Sequence, residues 1–395
     1  MQGTTYPLRT SGNLEDYTMP LYLTDDQAML RDTAREFMAE QGSIKAQLRH
    51  WRDRGCKDGF GHGLWKQFAE MGFTGILVSE ADGGLGLGHV EAGIVLEEIG
   101  RNLTPSPFLV TAVAFVEGVK GSAARERWLP GILGGDTVAA VAIDEGRKHR
   151  PEGIAMRAER SGNGFRLNGT KNFVVQGGSA DVILVAARTG GSAGETDGLT
   201  LFAVDKEANG FAAASERLAD SSMAARLTFD NVEVDADAVV GDVDQGWALL
   251  TRLLDSGRTG VAAEQVGIAS GAMNMTVDYL KQRTQFGRLI GEFQALQHRA
   301  AHLYSELEIA RSATLKAQQL LDEADPKAEL MVSVAKAKAG RTATLAVQEG
   351  VQMHGGIGMT DEHDIGLYMK RDRALNELWG DANYHAERVA RLSGY

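Results

Sequence analysis

The sequence predicts an α+β chain built in three successive blocks, helical, then β, then helical. Three observations carry this. Apolar residues recur at helical spacing from Met29 through residue 133, short β-branched runs broken by Gly, Asn and Asp turns occupy about 137–240, and long helical periodicity returns from residue 246. The corresponding domains are expected at 1–134, 135–240 and 241–395.

In chain order, the first helix follows a T-x-x-Q capping box of Thr24, Asp25, Asp26 and Gln27, with Met29, Leu30, Ala34, Phe37 and Met38 at helical spacing. Amphipathic stretches at 63–71, 89–99, 108–119 and 123–133 follow, separated by Gly-rich or Pro-bearing turns, so the first block reads as mostly helical. Strands are expected at 138–143, 173–175, 182–187, 199–204 and 225–234, where β-branched residues gather. The last block holds helical segments at 246–283, 293–322 and 326–353, lengths that suit a four-helix bundle. The chain has no repeat of roughly 20–50 residues and no low-complexity tract, which sets aside solenoids and linker arrays.

With 395 residues, 43% hydrophobic and 24% charged, the composition is that of a folded globular protein rather than a disordered or collagen-like one. Fifty-three acidic against 41 basic residues leave a net charge of −12, which repels phosphate backbones and anionic headgroups, so neither nucleic acid nor membrane is an expected partner. A local basic pocket for one phosphorylated ligand is compatible with that charge. Cys56 is the only cysteine, which excludes intrachain disulfides and multi-cysteine metal sites. The first 26 residues carry Arg9 as their only basic residue and no apolar core. No apolar run approaches the roughly 18 residues of a membrane span, and a cytoplasmic protein is expected.

Residues 83–88, GGLGLG, superficially copy a dinucleotide-binding turn, but the spacing is not G-x-G-x-x-G and no strand–helix alternation surrounds them; a flexible or closely packed loop is expected. His298 and His302 have the i, i+4 spacing of a zinc-protease pair, yet Arg299 stands where the activating glutamate would be. His354, His363 and His385 supply no recognisable ligand cluster, and no metal is expected.

The third block is the informative one. Arg283, Phe286 and Gly287 end one long helix, and Phe293, Gln294 and Gln297 begin the next. Arginine offers a planar fork of donors for pyrophosphate, phenylalanine a face for adenine, and glutamine both donor and acceptor. Further on, Gln352, Gly355, Gly356 and Gly358 close another helix with glycines that let backbone N–H groups approach an anion. On chemistry alone, each corner reads equally as a glycine C-cap beside an exposed arginine.

These residues resemble the acyl-CoA dehydrogenase family, flavoproteins that oxidise an acyl-CoA thioester to the 2,3-enoyl thioester. The resemblance covers nearly the whole chain: the capped first helix, the 83–88 loop, the β insert, the helix from Arg258 ending in R-x-x-F-G, and the Q-x-x-G-G-x-G segment. The stretch 378–385, LWGDANYH, most resembles the small-subunit branch typified by the pimeloyl-CoA dehydrogenase small subunit. The resemblance implies an N-terminal helical domain, a middle β-barrel or sandwich domain and a C-terminal four-helix bundle, assembled as dimers or dimers of dimers. It also implies FAD, an acyl-CoA substrate and electron-transfer flavoprotein as electron acceptor. Arg283, Phe286, Gln294, Gln352, Gly355 and Gly356 match the residues that hold the ADP half of a neighbouring subunit's FAD.

The family removes the substrate's α proton with a glutamate, and this chain departs from that pattern. The motif position falls at Trp379, followed by Gly380 and Asp381, and the alternative position, just before Arg258, is Gly257. The Thr-Glu-Pro and Gly-Ser-Asp flavin motif is missing around residues 143–146, and the W-I-T-x-G motif becomes Phe173, Val174, Val175, Gln176, Gly177, losing its hydroxyl. Glu264, about two helical turns beyond Gly257, is the remaining candidate base, ahead of Asp255, Glu377 and Asp381. One expectation is therefore a subunit that lends its ADP clamp to a related partner. The alternatives are a self-sufficient homo-oligomer with a non-standard base and a flavin-free assembly protein.

Overall fold

The computed structural model describes residues 21–395; the leader expected before them lies outside the described residues. Thr24 caps α1 (Asp25–Glu40) with the reciprocal bond to Gln27 that its sequence promises. A π-turn at Lys45–Arg49 leads into the short α2 (His50–Asp53), followed by α3 (His62–Glu70) and α4 (His89–Asn102). A second π-turn, Leu109–Phe115, runs into α5 (Val116–Val119), and α6 (Ala124–Leu133) completes the first domain.

The middle domain is one eight-stranded sheet. Its strands are β1 (Ala139–Ala142), β2 (Arg157–Ser161), β3 (Gly164–Val175), β4 (Val182–Arg188), β5 (Leu199–Asp205), β6 (Phe211–Arg217), β7 (Met223–Val234) and β8 (Val239–Val240). The order is β6-β7-β3-β2-β4-β5-β8, with β1 pairing in parallel to β4. Both faces of β4 are buried: Val182, Leu184 and Ala186 join the core shared with the helices, while Ile183, Val185 and Ala187 face a separate core within the sheet domain.

Helix α7 (Gly246–Leu280) runs 35 residues and is followed by a small hairpin, β9 (Thr284–Gln285) and β10 (Arg288–Leu289). Then come α8 (Gln294–Asp322), α9 (Ala328–His354), α10 (Ile365–Glu377) and α11 (Ala382–Leu392). Helix α7 is the axle of the molecule, and glycines let its neighbours approach. A Cβ at Gly267 would stand 2.0 Å from the Glu97 carbonyl oxygen, and one at Gly100 would stand 2.1 Å from that of Glu264. Helices α4 and α7 therefore cross backbone to backbone. The 83–88 loop is likewise packed tightly, since a Cβ at Gly84 would meet the Val78 carbonyl at 2.3 Å.

Candidate functional site

The end of α7 carries the first cluster. Arg283 N–H donates to the Tyr279 carbonyl at 2.9 Å, and the chain then turns through the β9–β10 hairpin. Phe286 and Gly287 form its tip, with φ of 55° and 78°, the left-handed pair of a type I′ turn. This lifts the Phe286 ring clear of the surface at 92% exposure. Phe293 stands edge-on to it, 6.2 Å away, with the Arg288 guanidinium 4.1 Å from the Phe293 ring centre. The Arg283 side chain is exposed and has no ion pair among the described residues.

The end of α9 carries the second cluster. Gln352 is exposed, and Gly355 (φ 64°) and Gly356 have open space where a Cβ would be. The structure joins the two clusters through aromatic stacking. Tyr279, one turn before Arg283, lies 4.5 Å ring to ring from His354, which in turn lies 4.3 Å from His363. His354 Nδ1 donates to the Gly350 carbonyl at 2.7 Å, so Nε2 carries the lone pair, and it is buried with no hydrogen-bond partner. Spacing alone had left the His354–His363 contact invisible, because nine residues and the turn after α9 separate them. Gln294, at the start of α8, is exposed as well. All six expected clamp residues thus lie on the surface, with glycines and an unpaired cation on offer, a fit for a pyrophosphate.

The second site lies where the three domains meet. Phe173, Val175 and Gln176 line a cavity of about 50 Å³ with Leu103, Leu109, Leu375, Leu378 and Arg371. That is far below the roughly 300–1,000 Å³ of ordinary small-molecule sites. Arg371 Nε donates to Glu264 Oε1 at 2.7 Å, and its Nη1 donates to Asp220 Oδ2 at 2.8 Å, tying α10 to α7 and to the β6–β7 turn. Those two carboxylates hold the guanidinium pKa above its usual value despite burial. Glu264 is 2% exposed, and its Oε2 has no hydrogen-bond partner.

Residues 143–150 are engaged elsewhere too. Glu145 accepts from the fully buried Lys171 at 2.8 Å and from the backbone N–H of Ala155 and Met156. Asp144 receives the Nδ1–H of His149 at 2.9 Å, and His149 Nε2 accepts from Arg258 at 2.9 Å. Arginine only donates, so this imidazole is neutral; burial lowers its pKa, with Asp144 opposing. Arg258 also reaches Asp255 at 2.9 Å, the Tyr384 hydroxyl at 3.2 Å and the Trp379 carbonyl at 3.2 Å. On the rim, Lys148 lies 3.1 Å from Glu377 and 3.6 Å from Asp381.

A further trio, Asp322–His89–Ser256, is linked by bonds of 2.7 and 3.0 Å. Ser256 is only 1% exposed inside α7, so the trio fastens three helices together. His298 and His302 are exposed on α8, and no group of three metal-ligating side chains occurs among the described residues. No described helix is long and apolar enough to cross a membrane.

A helical domain, a sheet domain and a helical domain meet at one crevice, and the last carries the exposed residues Arg283, Phe286, Gln294, Gln352, Gly355 and Gly356. The family models for the N-terminal, middle and C-terminal domains of acyl-CoA dehydrogenase match residues 24–136, 144–232 and 244–393, and the chain belongs to the acyl-CoA dehydrogenase family. Members are FAD-dependent flavoproteins that oxidise acyl-CoA thioesters. Cyclohex-1-ene-1-carbonyl-CoA dehydrogenase of Geobacter metallireducens is 30% identical over 372 residues, 92% of this chain and 96% of that one. Among solved structures, a variant of the Tcur3481-Tcur3483 steroid ACAD is 31% identical with a TM-score of 0.83, covering 93% of this chain and 98% of that one. The ChsE4-ChsE5 complex from Mycobacterium tuberculosis is 25% identical with a TM-score of 0.85, covering 95% and 100%.

Proposed function

We propose that this chain is the clamp-bearing subunit of a mixed acyl-CoA dehydrogenase, of the small-subunit branch, assembled with a related subunit whose FAD it helps to hold. One contrast carries the reading. The six residues matched to the ADP clamp stand exposed, Arg283 without an ion pair among the described residues, whereas the crevice beside Phe173 and Val175 leaves a cavity of only about 50 Å³, with Arg371 in its wall paired to Glu264. FAD supplies the hydride acceptor for the β carbon. This chain's part is to bind: Arg283 forks onto the pyrophosphate, Phe286 offers a ring to adenine, Gln294 and Gln352 donate and accept, and Gly355 and Gly356 give the phosphate access to the backbone.

Two similar structures bear the paired names Tcur3481-Tcur3483 and ChsE4-ChsE5, which supports a mixed assembly. The steroid ACAD name of the first of these and the name of the Geobacter relative point to cyclic or steroid-derived acyl-CoA as the substrate class. The unpaired Cys56 fits the reducing cytoplasm, and electron-transfer flavoprotein is the proposed electron acceptor.

A second reading keeps Glu264 as the base of a self-sufficient homo-oligomer, favoured by its one unbonded carboxylate oxygen. The ion pair with Arg371 weighs against it, because a base must be free to take a proton. The deciding experiment is the visible spectrum, FAD per chain and solution mass of the purified chain, alone and with a co-expressed related subunit. A colourless chain that turns yellow only with its partner is expected. One FAD per chain in a homo-oligomer overturns the proposal in favour of the second reading.

A further inference from the structure

Both positions at which the family carries its base lie in contact here. A Cβ built on Gly257 would stand 2.3 Å from the Trp379 ring, with two more ring atoms at 2.8 and 2.9 Å. The indole therefore occupies the space that a side chain at 257 would need, and Trp379 is only 4% exposed. Its backbone is in the left-handed region (φ 54°), followed by Gly380 at φ 108°, a conformation that a bulky residue keeps only when its surroundings enforce it.

They do so from three helices. Arg258 of α7 and His385 of α11 both donate to the Trp379 carbonyl at 3.2 Å, and Lys336 of α9 donates to the Gly380 carbonyl at 3.2 Å and the Leu375 carbonyl at 3.1 Å. All three donors are buried. The preceding residue, Leu378, lines the small cavity beside Phe173 and Val175.

Building on the mixed-enzyme reading, we propose that Trp379 is the specificity-determining residue of this chain's own crevice, a built-in occupant, seated against Gly257, that keeps acyl-CoA out. The mixed enzyme then takes one acyl-CoA for each pair of unlike chains, at the partner's site.

The test uses the purified mixed complex. A panel of crotonyl-CoA, 2-octenoyl-CoA and cyclohex-1-ene-1-carbonyl-CoA is screened for a change in the flavin spectrum, and the thioester giving the largest change is titrated calorimetrically. The expected stoichiometry is one per two chains, rising toward two per two chains in Trp379→Ala. Two per two chains in the unaltered complex overturns the proposal, and so does an unchanged stoichiometry in a folded Trp379→Ala complex. If Trp379→Ala fails to assemble, Trp379→Leu, which keeps more of the apolar volume, is titrated in its place with the same two outcomes. A panel in which no thioester perturbs the flavin refutes the acyl-CoA reading itself, a separate failure.

Discussion

The ring of Tyr279 stands 4.5 Å from the imidazole of His354, and through this contact the turn that ends α7 is fixed against the glycine turn that ends α9. Two segments more than seventy residues apart in the chain thereby present one surface.

If that surface grips pyrophosphate, Arg283→Ala removes its charge-assisted donors. Hydrogen bonds to charged groups are worth about 1.5–3 kcal/mol, so flavin affinity of the mixed complex should fall by roughly tenfold to a hundredfold. Flavin fluorescence released on gel filtration measures it, and full retention would contradict the assignment.

Tyr279→Ala should loosen the same surface without touching a charge. Flavin affinity is expected to drop less than in Arg283→Ala, while Tyr279→Phe, which keeps the ring, should restore it. Equal losses in the Ala and Phe variants would show that stacking is not what joins the two turns.

Glu264→Gln separates the two functional readings. With Glu264 acting as the partner of Arg371, turnover of the mixed complex should stay within about twofold, and the weakened ion pair should cost about 1–3 kcal/mol in urea unfolding. A loss of turnover with flavin retained would make Glu264 the base.

His149 predicts a pH dependence. Burial depresses its pKa below the usual imidazole value of about 6.5, so the unfolded chain takes a proton that the folded chain refuses. The stability it supplies is complete above about pH 6.5 and is lost as pH falls below that value, by up to about 1.4 kcal/mol per pH unit. Asp372 runs the other way. Its pKa is raised by burial to about 6, and its penalty is relieved as pH falls. The informative quantity is therefore the stability of His149→Gln subtracted from that of the unaltered chain between pH 5 and 8, which should be flat above about pH 6.5 and fall as pH drops below it.

Gly267→Ala should be costly. Its Cβ would fall 2.0 Å from the Glu97 carbonyl, so α4 and α7 must separate, at about 1–3 kcal/mol for an overpacked contact. An unchanged urea midpoint would show that the helices slide apart freely.

Most of the architecture was legible in the sequence because periodicity reports burial. The three long helices begin or end within a few residues of their expected limits, as α8 does at Gln294–Asp322. Strands β2 and β6 were not legible. Their sequences, RAERS and FAAASER, lack β-branched residues, and they are held by pairing with β3 and β7 rather than by their own side chains. Strand β3 begins at Gly164, nine residues before the expected start, since Gly169 and a bulge near Lys171 break its apolar pattern. At the site, the six residues that stand exposed at the ends of α7 and α9 and the start of α8 could be named from their motifs. The partners of Glu264, His149 and Trp379 come from α10, the β1–β2 loop, α7 and α11, and tertiary contacts of that range leave no local signature.

The length of α7 has a bearing on how such a chain changes over generations. From Gly257 to the last turn at Leu280, one uninterrupted helix spans about 35 Å, with the crevice beside its middle and the exposed turn of Arg283 and Phe286 at its end. A duplicated gene copy can therefore drift at one of these places while purifying selection preserves the other, and neither change disturbs the rod that carries both.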